Sequence, residues 1–260
     1  MRGAANDANN DAVRAVDLLA DRGTIEGGFN LPSKQKGPDD YGAQLVARIV
    51  AMRPQDKFEE LLNWVSHGIA AAVALVGVVR LTIIAVKRDA HKALFSLLVY
   101  GVSLVTLYTV SSVYHALRNQ KVKSVLRIVD LAAVFLLIAG TYTPVTMLVL
   151  DGALRWVVFT MIWAAALVGC ALYIFAGRFF DKWSLWYYLA MGCAILPFLP
   201  AMVRSMSSTA LALFAGGGLL YMIGTIFLKS HKRFMHAQWH ILVMAASSLH
   251  YTAILSLVAA

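Results

Sequence analysis

The sequence predicts an all-α membrane protein, a bundle of seven transmembrane helices. Three observations predict it. First, 60% of the 260 residues are hydrophobic and 14% are charged, with a mean hydropathy of +0.68. A soluble domain averages about 45–50% apolar and about 25% charged residues. Second, the apolar residues gather in seven runs of about 20 residues, the length that crosses the hydrocarbon of a bilayer. Third, the runs do not alternate and are too long for β-barrel strands.

Two regions are expected. Residues 1–58 form a polar N-terminal tail, and residues 59–260 form the helical domain. Residues 1 to about 42 are rich in Gly, Asn and Asp, which suits disorder. They contain no apolar run that a signal peptide needs, so the first span is expected to act as its own insertion signal. Between 43 and 58, Leu45, Val46, Ile49 and Val50 lie beside Arg48 and Arg53. That segment reads either as a weakly amphipathic helix on the membrane surface or as a plain linker.

The spans fall near 64–86, 93–117, 128–150, 156–176, 185–203, 209–228 and 237–259. The links KRDAHK, RNQKVKSVLR, DGALR, GRFFDKWS, RSMSS and KSHKRFM are short, so successive helices run antiparallel. No internal repeat supports an inverted-repeat transporter. Arg80 lies near the end of the first span and is expected to snorkel to the interface. Pro144, Pro197 and Pro200 should kink the third and fifth spans. Gly216-Gly217-Gly218 allows a close helix approach in the sixth. Trp183, Trp186, Tyr187 and Tyr188 suit an interfacial aromatic belt. Cys170 and Cys193 lie in apolar spans without a CxxC motif and read as packing residues.

Charge sets the orientation. The net charge of +9 comes mostly from Lys and Arg between spans, where they meet anionic headgroups. Membrane lipids are the expected partners, not nucleic acid. With the N-terminus in the cytoplasm, the inner face carries Arg48, Arg53, Lys57, Arg118, Lys121, Lys123, Arg127, Arg178, Lys182, Lys229, Lys232 and Arg233. The outer face carries only Lys87, Arg88, Lys92, Arg155 and Arg204. The balance places the N-terminus inside and the C-terminus outside, although the first outer link runs against the bias.

Polar titratable groups within membrane helices are costly and point to function. His115 closes the second span, Asp130 opens the third, and His236 and His240 open the seventh. Alternating helices bring all four to one membrane face, the cytoplasmic one under this orientation. The His236/His240 spacing stacks both rings on one helix face. Three imidazoles suit zinc and leave a fourth position open to water, whose pKa the metal lowers toward about 7. Asp130 can then accept and return a proton. Ser111 lies one turn before His115, where its hydroxyl can reach the water, a substrate oxygen or a ligand.

Each residue alone has a plainer reading. An intramembrane His usually bonds across helices, an i,i+4 pair can be interfacial, and Ser111 can bond back to its own helix. Asp130 can pair with Arg127. His67 reads mainly as packing, with an outer role at the site as the alternative. His250 reads as an interhelical hydrogen-bonder, and His91 and His231 as solvated.

The residues Glu59-Glu60-x-x-Asn63-x-x-Ser66-His67-Gly68, Ser111-x-x-x-His115, Asp130 with Gly140-Thr141-Tyr142-Thr143-Pro144, and His236-x-x-x-His240 resemble the hemolysin III group of the progestin and adipoQ receptor family. The resemblance covers about residues 57–260. It implies a seven-helix fold with a cytoplasmic N-terminus and a Zn2+ held by His115, His236 and His240. It places Asp130 and Ser111 beside the metal's water as the catalytic pair.

The resemblance also implies kinship with membrane hydrolases that include alkaline ceramidases, and so a lipid amide or ester substrate. Three functions follow as expectations. They are a zinc-dependent lipid hydrolase, a pore-forming cytolysin, and a signalling protein with a structural zinc for which Asp130 is the fourth ligand. A bacterial inner membrane is the expected location.

Overall fold

A computed structural model describes residues 55–259 apart from His231. The expected tail therefore lies almost wholly outside the described residues. The elements are α1 (Lys57–Lys87), α2 (His91–Ala116), α3 (Gln120–Val149), α4 (Gly152–Ala176), α5 (Arg178–Asp181), α6 (Ser184–Cys193), a 3-10 turn (Leu196–Phe198), α7 (Leu199–Ser205), α8 (Ser208–Leu228) and α9 (Met235–Ala259). No strand occurs among the described residues.

Among the described residues six segments are long and apolar enough to cross a membrane: Lys57–Lys87, Ala93–Ala116, Gly152–Ala176, Ser184–Ser205, Ser208–Leu228 and Met235–Ala259. The chain is a multi-pass membrane protein. Its outer surface agrees, since Ile69, Val76, Met161, Phe175 and Ile226 stand more than 60% exposed. A soluble protein does not present so continuous an apolar exterior.

The expected third span, 128–150, falls within α3, which is 30 residues long and the most enclosed helix. Three apolar clusters form the core, and α3 enters each. Ala133 and Leu137 pack with α1, α2 and α9. Phe135, Ala139 and Tyr142 pack with α4, α5 and α6. Val145 and Val149 pack with α7, α8 and α9. At Gly140 an added Cβ would lie 1.9 Å from Ser103 Oγ, so α2 and α3 approach closely only because that side chain is missing.

Two helices begin earlier than hydropathy suggests, because polar caps start them. Asp56 accepts from the amides of Phe58 and Glu59 at 2.9 Å each, and Glu59 accepts from the Asp56 amide at 3.1 Å. This capping box satisfies the free N–H groups of the first turn. The Glu59 amide most of all, with the Phe58 amide and Arg233, holds the Asp56 carboxyl below the usual carboxylate range. Asn119 caps α3 in the same way, accepting from Lys121 and Val122. Lys121, Lys123 and Arg127 therefore stand on a helix rather than in a loop.

The prolines act differently from one another. Around Pro197 and Pro200 the fifth span divides into α6, a 3-10 turn and α7. Pro144 lies inside a continuous α3 and is fully buried. The aromatic cluster also divides. Trp183 and Trp186 are exposed as an interfacial belt requires, but Tyr188 is buried. Its ring lies 4.4 Å from that of Phe135 and its hydroxyl donates to the Leu131 carbonyl at 2.8 Å. Two residues separate Trp186 from Tyr188, about 200° around a helix, which sends them to opposite sides. Cys193 is exposed rather than packed.

Candidate metal centre

The cluster is assembled by two helices. The second helix delivers His115 one residue before its end, and the first two turns of α9 deliver His236 and His240. His115 Nε2 lies 3.2 Å from His236 Nε2, which lies 3.2 Å from His240 Nε2. Ligand atoms of all three fall within 4.8 Å of one another, with His115 and His240 buried and His236 half-buried. Zinc–nitrogen bonds of about 2.0–2.1 Å in a tetrahedron separate neighbouring nitrogens by about 3.3 Å. The donor set therefore fits a metal ion. Nothing in the distances selects zinc over its neighbours; the all-imidazole set suits several transition metals.

The start of α9 is held in place from α1. Phe234 precedes the helix with φ of 62°, a left-handed conformation that costs a non-glycine residue about 1–2 kcal/mol. Its amide donates to Glu59 Oε1 at 2.7 Å, and Arg233 pairs with Asp56 at 2.8 Å. Glu59 thus closes the α1 capping box and also directs the chain into α9. One turn further along α1, Asn63 is fully buried and donates from Nδ2 to Gln55 Oε1 at 2.6 Å.

Ser111 is buried on α2, and its side chain faces the same cavity as Asp130 of α3. Both border a cavity of about 460 Å³, together with His67, His236 and His240. The carboxylate of Asp130 is outside the three-histidine group. Arg127, the sequence candidate for pairing with Asp130, reaches Asp181 at 3.5 Å.

The other histidines separate by their partners. His67 stacks on His240 with ring centroids 3.6 Å apart and planes 10° apart, and meets Tyr108 edge-on at 5.0 Å. It packs, as expected, but it packs directly against a cluster member. His250 Nε2 donates to the Phe214 carbonyl of α8 at 2.9 Å, the interhelical bond expected of it. Gly217 makes room there, since an added Cβ would lie 2.3 Å from the His250 ring.

Sequence reasoning overlooked Glu60 as part of the site. Glu60 Oε2 accepts from His115 Nδ1 at 2.7 Å, and Oε1 accepts from Lys123. The capping-box pattern from Asp56 to Glu59 was the available signal. It starts α1 at Lys57 and so sets Glu60, Asn63 and His67 along one helix face.

From the cluster the cavity follows α9 to His250, about 21 Å at 1.5 Å per residue. Its walls are almost wholly apolar, including Leu131, Val134, Leu137, Met202 and Phe214. Leu196 beside α7 and Leu219 on α8 border it and are themselves more than 55% exposed. The cavity thus meets the outer apolar surface between the divided span and α8.

Fold and site together define a class: a multi-pass helical membrane protein with a buried three-histidine centre at one end of an apolar cavity. Comparison narrows the class. The chain belongs to the haemolysin-III related family, whose model matches residues 55–251. It is 35% identical over 198 residues to Hemolysin-3 of Bacillus cereus, covering 76% of this chain and 90% of that protein. It is 34% identical to the Hemolysin-3 homolog of Bacillus subtilis (strain 168), covering 76% and 93%. The human Monocyte to macrophage differentiation factor is 34% identical over 172 residues, covering 60% of this chain and 67% of that protein.

Proposed function

We propose that the chain is a zinc-dependent hydrolase of lipid amide or ester bonds, with seven membrane spans and a cytoplasmic N-terminus. In this reading α3 is the seventh span, enclosed by the others, and the histidine cluster lies near the cytoplasmic face. The observation that carries the proposal is the convergence of three imidazole nitrogens, His236 Nε2 lying 3.2 Å from each of the other two, at the end of a long apolar cavity.

His115, His236 and His240 would hold the metal, which would supply Lewis-acid chemistry to a carbonyl and to water. The chain's own residues do the rest. Asp130 accepts the proton of the attacking water at its carboxylate and returns it to the leaving amine or alcohol. Ser111, on the same cavity, orients that carboxylate through its hydroxyl. The cavity takes the acyl chain and keeps bulk water away, and its volume lies within the range of about 300–1,000 Å³ usual for small-molecule sites. The separation of Asp130 from the three-histidine group supports a catalytic over a closed structural metal site, which takes four protein ligands.

The test uses the purified chain in lipid bilayers. The parent should bind about one zinc and release fatty acid from a panel of ceramides, N-acylethanolamines and acyl esters. Asp130→Asn should retain the metal while turnover falls by about 10²–10⁴-fold. Full turnover in Asp130→Asn removes Asp130 from the chemistry, and a parent without metal ends the proposal.

The bacterial relatives' name favours a second reading, a cytolytic pore. A monomeric aqueous channel wants polar lining through the whole bilayer, whereas this cavity is apolar over most of its length. Conductance of purified protein in planar bilayers, without lipid turnover, would replace the hydrolase by the pore.

A further inference from the structure

We infer that Glu60 is a positioning residue of the metal centre. It fixes the tautomer and direction of His115 and is itself held by Lys123. The inference rests on the metal-binding reading above.

A carboxylate only accepts hydrogen bonds, so the 2.7 Å contact from Glu60 Oε2 requires the proton of His115 on Nδ1. The lone pair then belongs to Nε2, the atom 3.2 Å from His236 Nε2. One hydrogen bond thus turns the ligand atom of His115 toward the cluster. Carboxylates behind metal-bound imidazoles do this generally, and they also make the ligand a better donor.

The second oxygen of Glu60 accepts from Lys123, so the carboxylate is fixed from both sides. The chain Lys123–Glu60–His115 crosses α3, α1 and α2. The three side chains are 14%, 21% and 1% exposed. A charge pair so far removed from water loses much of its attraction to desolvation, so stability alone is a poor reason to keep it. Two of the three members are set by caps already described. Asp56 starts α1 four residues before Glu60, and Asn119 starts α3 four residues before Lys123.

The partners of the other imidazoles sharpen the assignment. His240 Nδ1 is buried without a hydrogen-bond partner among the described residues. His115 alone depends on a carboxylate. Exchange of Glu60 should therefore damage the centre through one ligand and leave the others in place.

The experiment measures zinc affinity by chelator competition, and the visible spectrum of the cobalt-substituted protein, on the full chain in nanodiscs. Glu60→Ala should weaken zinc by about 10–100-fold and change the cobalt band. Glu60→Gln keeps the shape and an acceptor oxygen but not the charge, so its loss should be smaller than that of Glu60→Ala. Lys123→Met should weaken zinc less than Glu60→Ala, since it acts only through Glu60. A merely structural ion pair would alter the melting temperature of these variants and leave the cobalt band where it was.

Parent affinity and parent spectrum in Glu60→Ala overturn the inference while the metal centre stands. If Glu60→Ala fails to fold, parent affinity and spectrum in Glu60→Gln and Lys123→Met together overturn it. A parent chain that binds no zinc overturns the metal reading itself.

Discussion

His240 and His250 lie ten residues apart on the same helix, and both are buried, at 1% and 6% exposure. Both border the same cavity. Hydropathy does not distinguish them. Their partners do: Nε2 of His240 faces another imidazole nitrogen at 3.2 Å, and Nε2 of His250 donates to a main-chain carbonyl at 2.9 Å. The first arrangement brings ring nitrogens together at one place. The second commits a ring N–H to tying α9 to α8. Convergence, rather than burial, marks an imidazole as a candidate ligand, and a carbonyl partner marks one as a strut.

The comparison can be broken by exchanging each residue in turn. His240→Ala should have the largest effect, weakening zinc by more than the roughly 100-fold that loss of an outer partner costs. Metal analysis after dialysis reads it, and parent occupancy would end the distinction from one side. His250→Phe keeps a ring between α8 and α9 but removes the bond to the Phe214 carbonyl, which keeps its own helical partner. Losing one buried hydrogen bond costs about 0.5–1.5 kcal/mol, so thermal unfolding in detergent should move down while zinc stays bound. Loss of zinc in that variant would end the distinction from the other side.

Arg233→Ala should have the smallest effect. Its pair with Asp56 is open to solvent, at 58% and 41% side-chain exposure, where screening leaves little. The Asp56 carboxyl is held low chiefly by the Glu59 amide, so its contribution persists above the ordinary carboxylate range and fades only as pH falls through the lowered value. Unfolding at neutral pH should match the parent. A large drop would mean that Arg233 sets the start of α9 more than the Glu59 contact to Phe234 does.

Much of this was legible in the sequence for a simple reason. A run of about 20 apolar residues has one use in an α-helical chain, and alternation then puts the ends of the second, third and seventh runs on one face. His115, Asp130, His236 and His240 followed from counting. Glu60 and Lys123 did not, because both stand on the polar first turns of helices whose starts hydropathy places seven or eight residues late. Asp56 and Asn119 carry that information in their side chains, not in the apolar pattern. Tyr188 was assigned to the interface by its neighbours Trp183 and Trp186, and only the rotation of α6 separates them. The division of the fifth span was readable from Pro197 and Pro200. Pro144 does not divide its helix, since α3 runs through it from Gln120 to Val149.

The side opening between the divided span and α8 has a bearing on supply. A molecule that fills the cavity through that gap arrives by lateral diffusion in the leaflet and never needs to leave it. Occupancy is then governed by the mole fraction of that molecule among its neighbouring lipids, not by its concentration in the surrounding water. A compound too insoluble to measure in buffer can be abundant at this doorway, and the composition of the membrane becomes the effective dose.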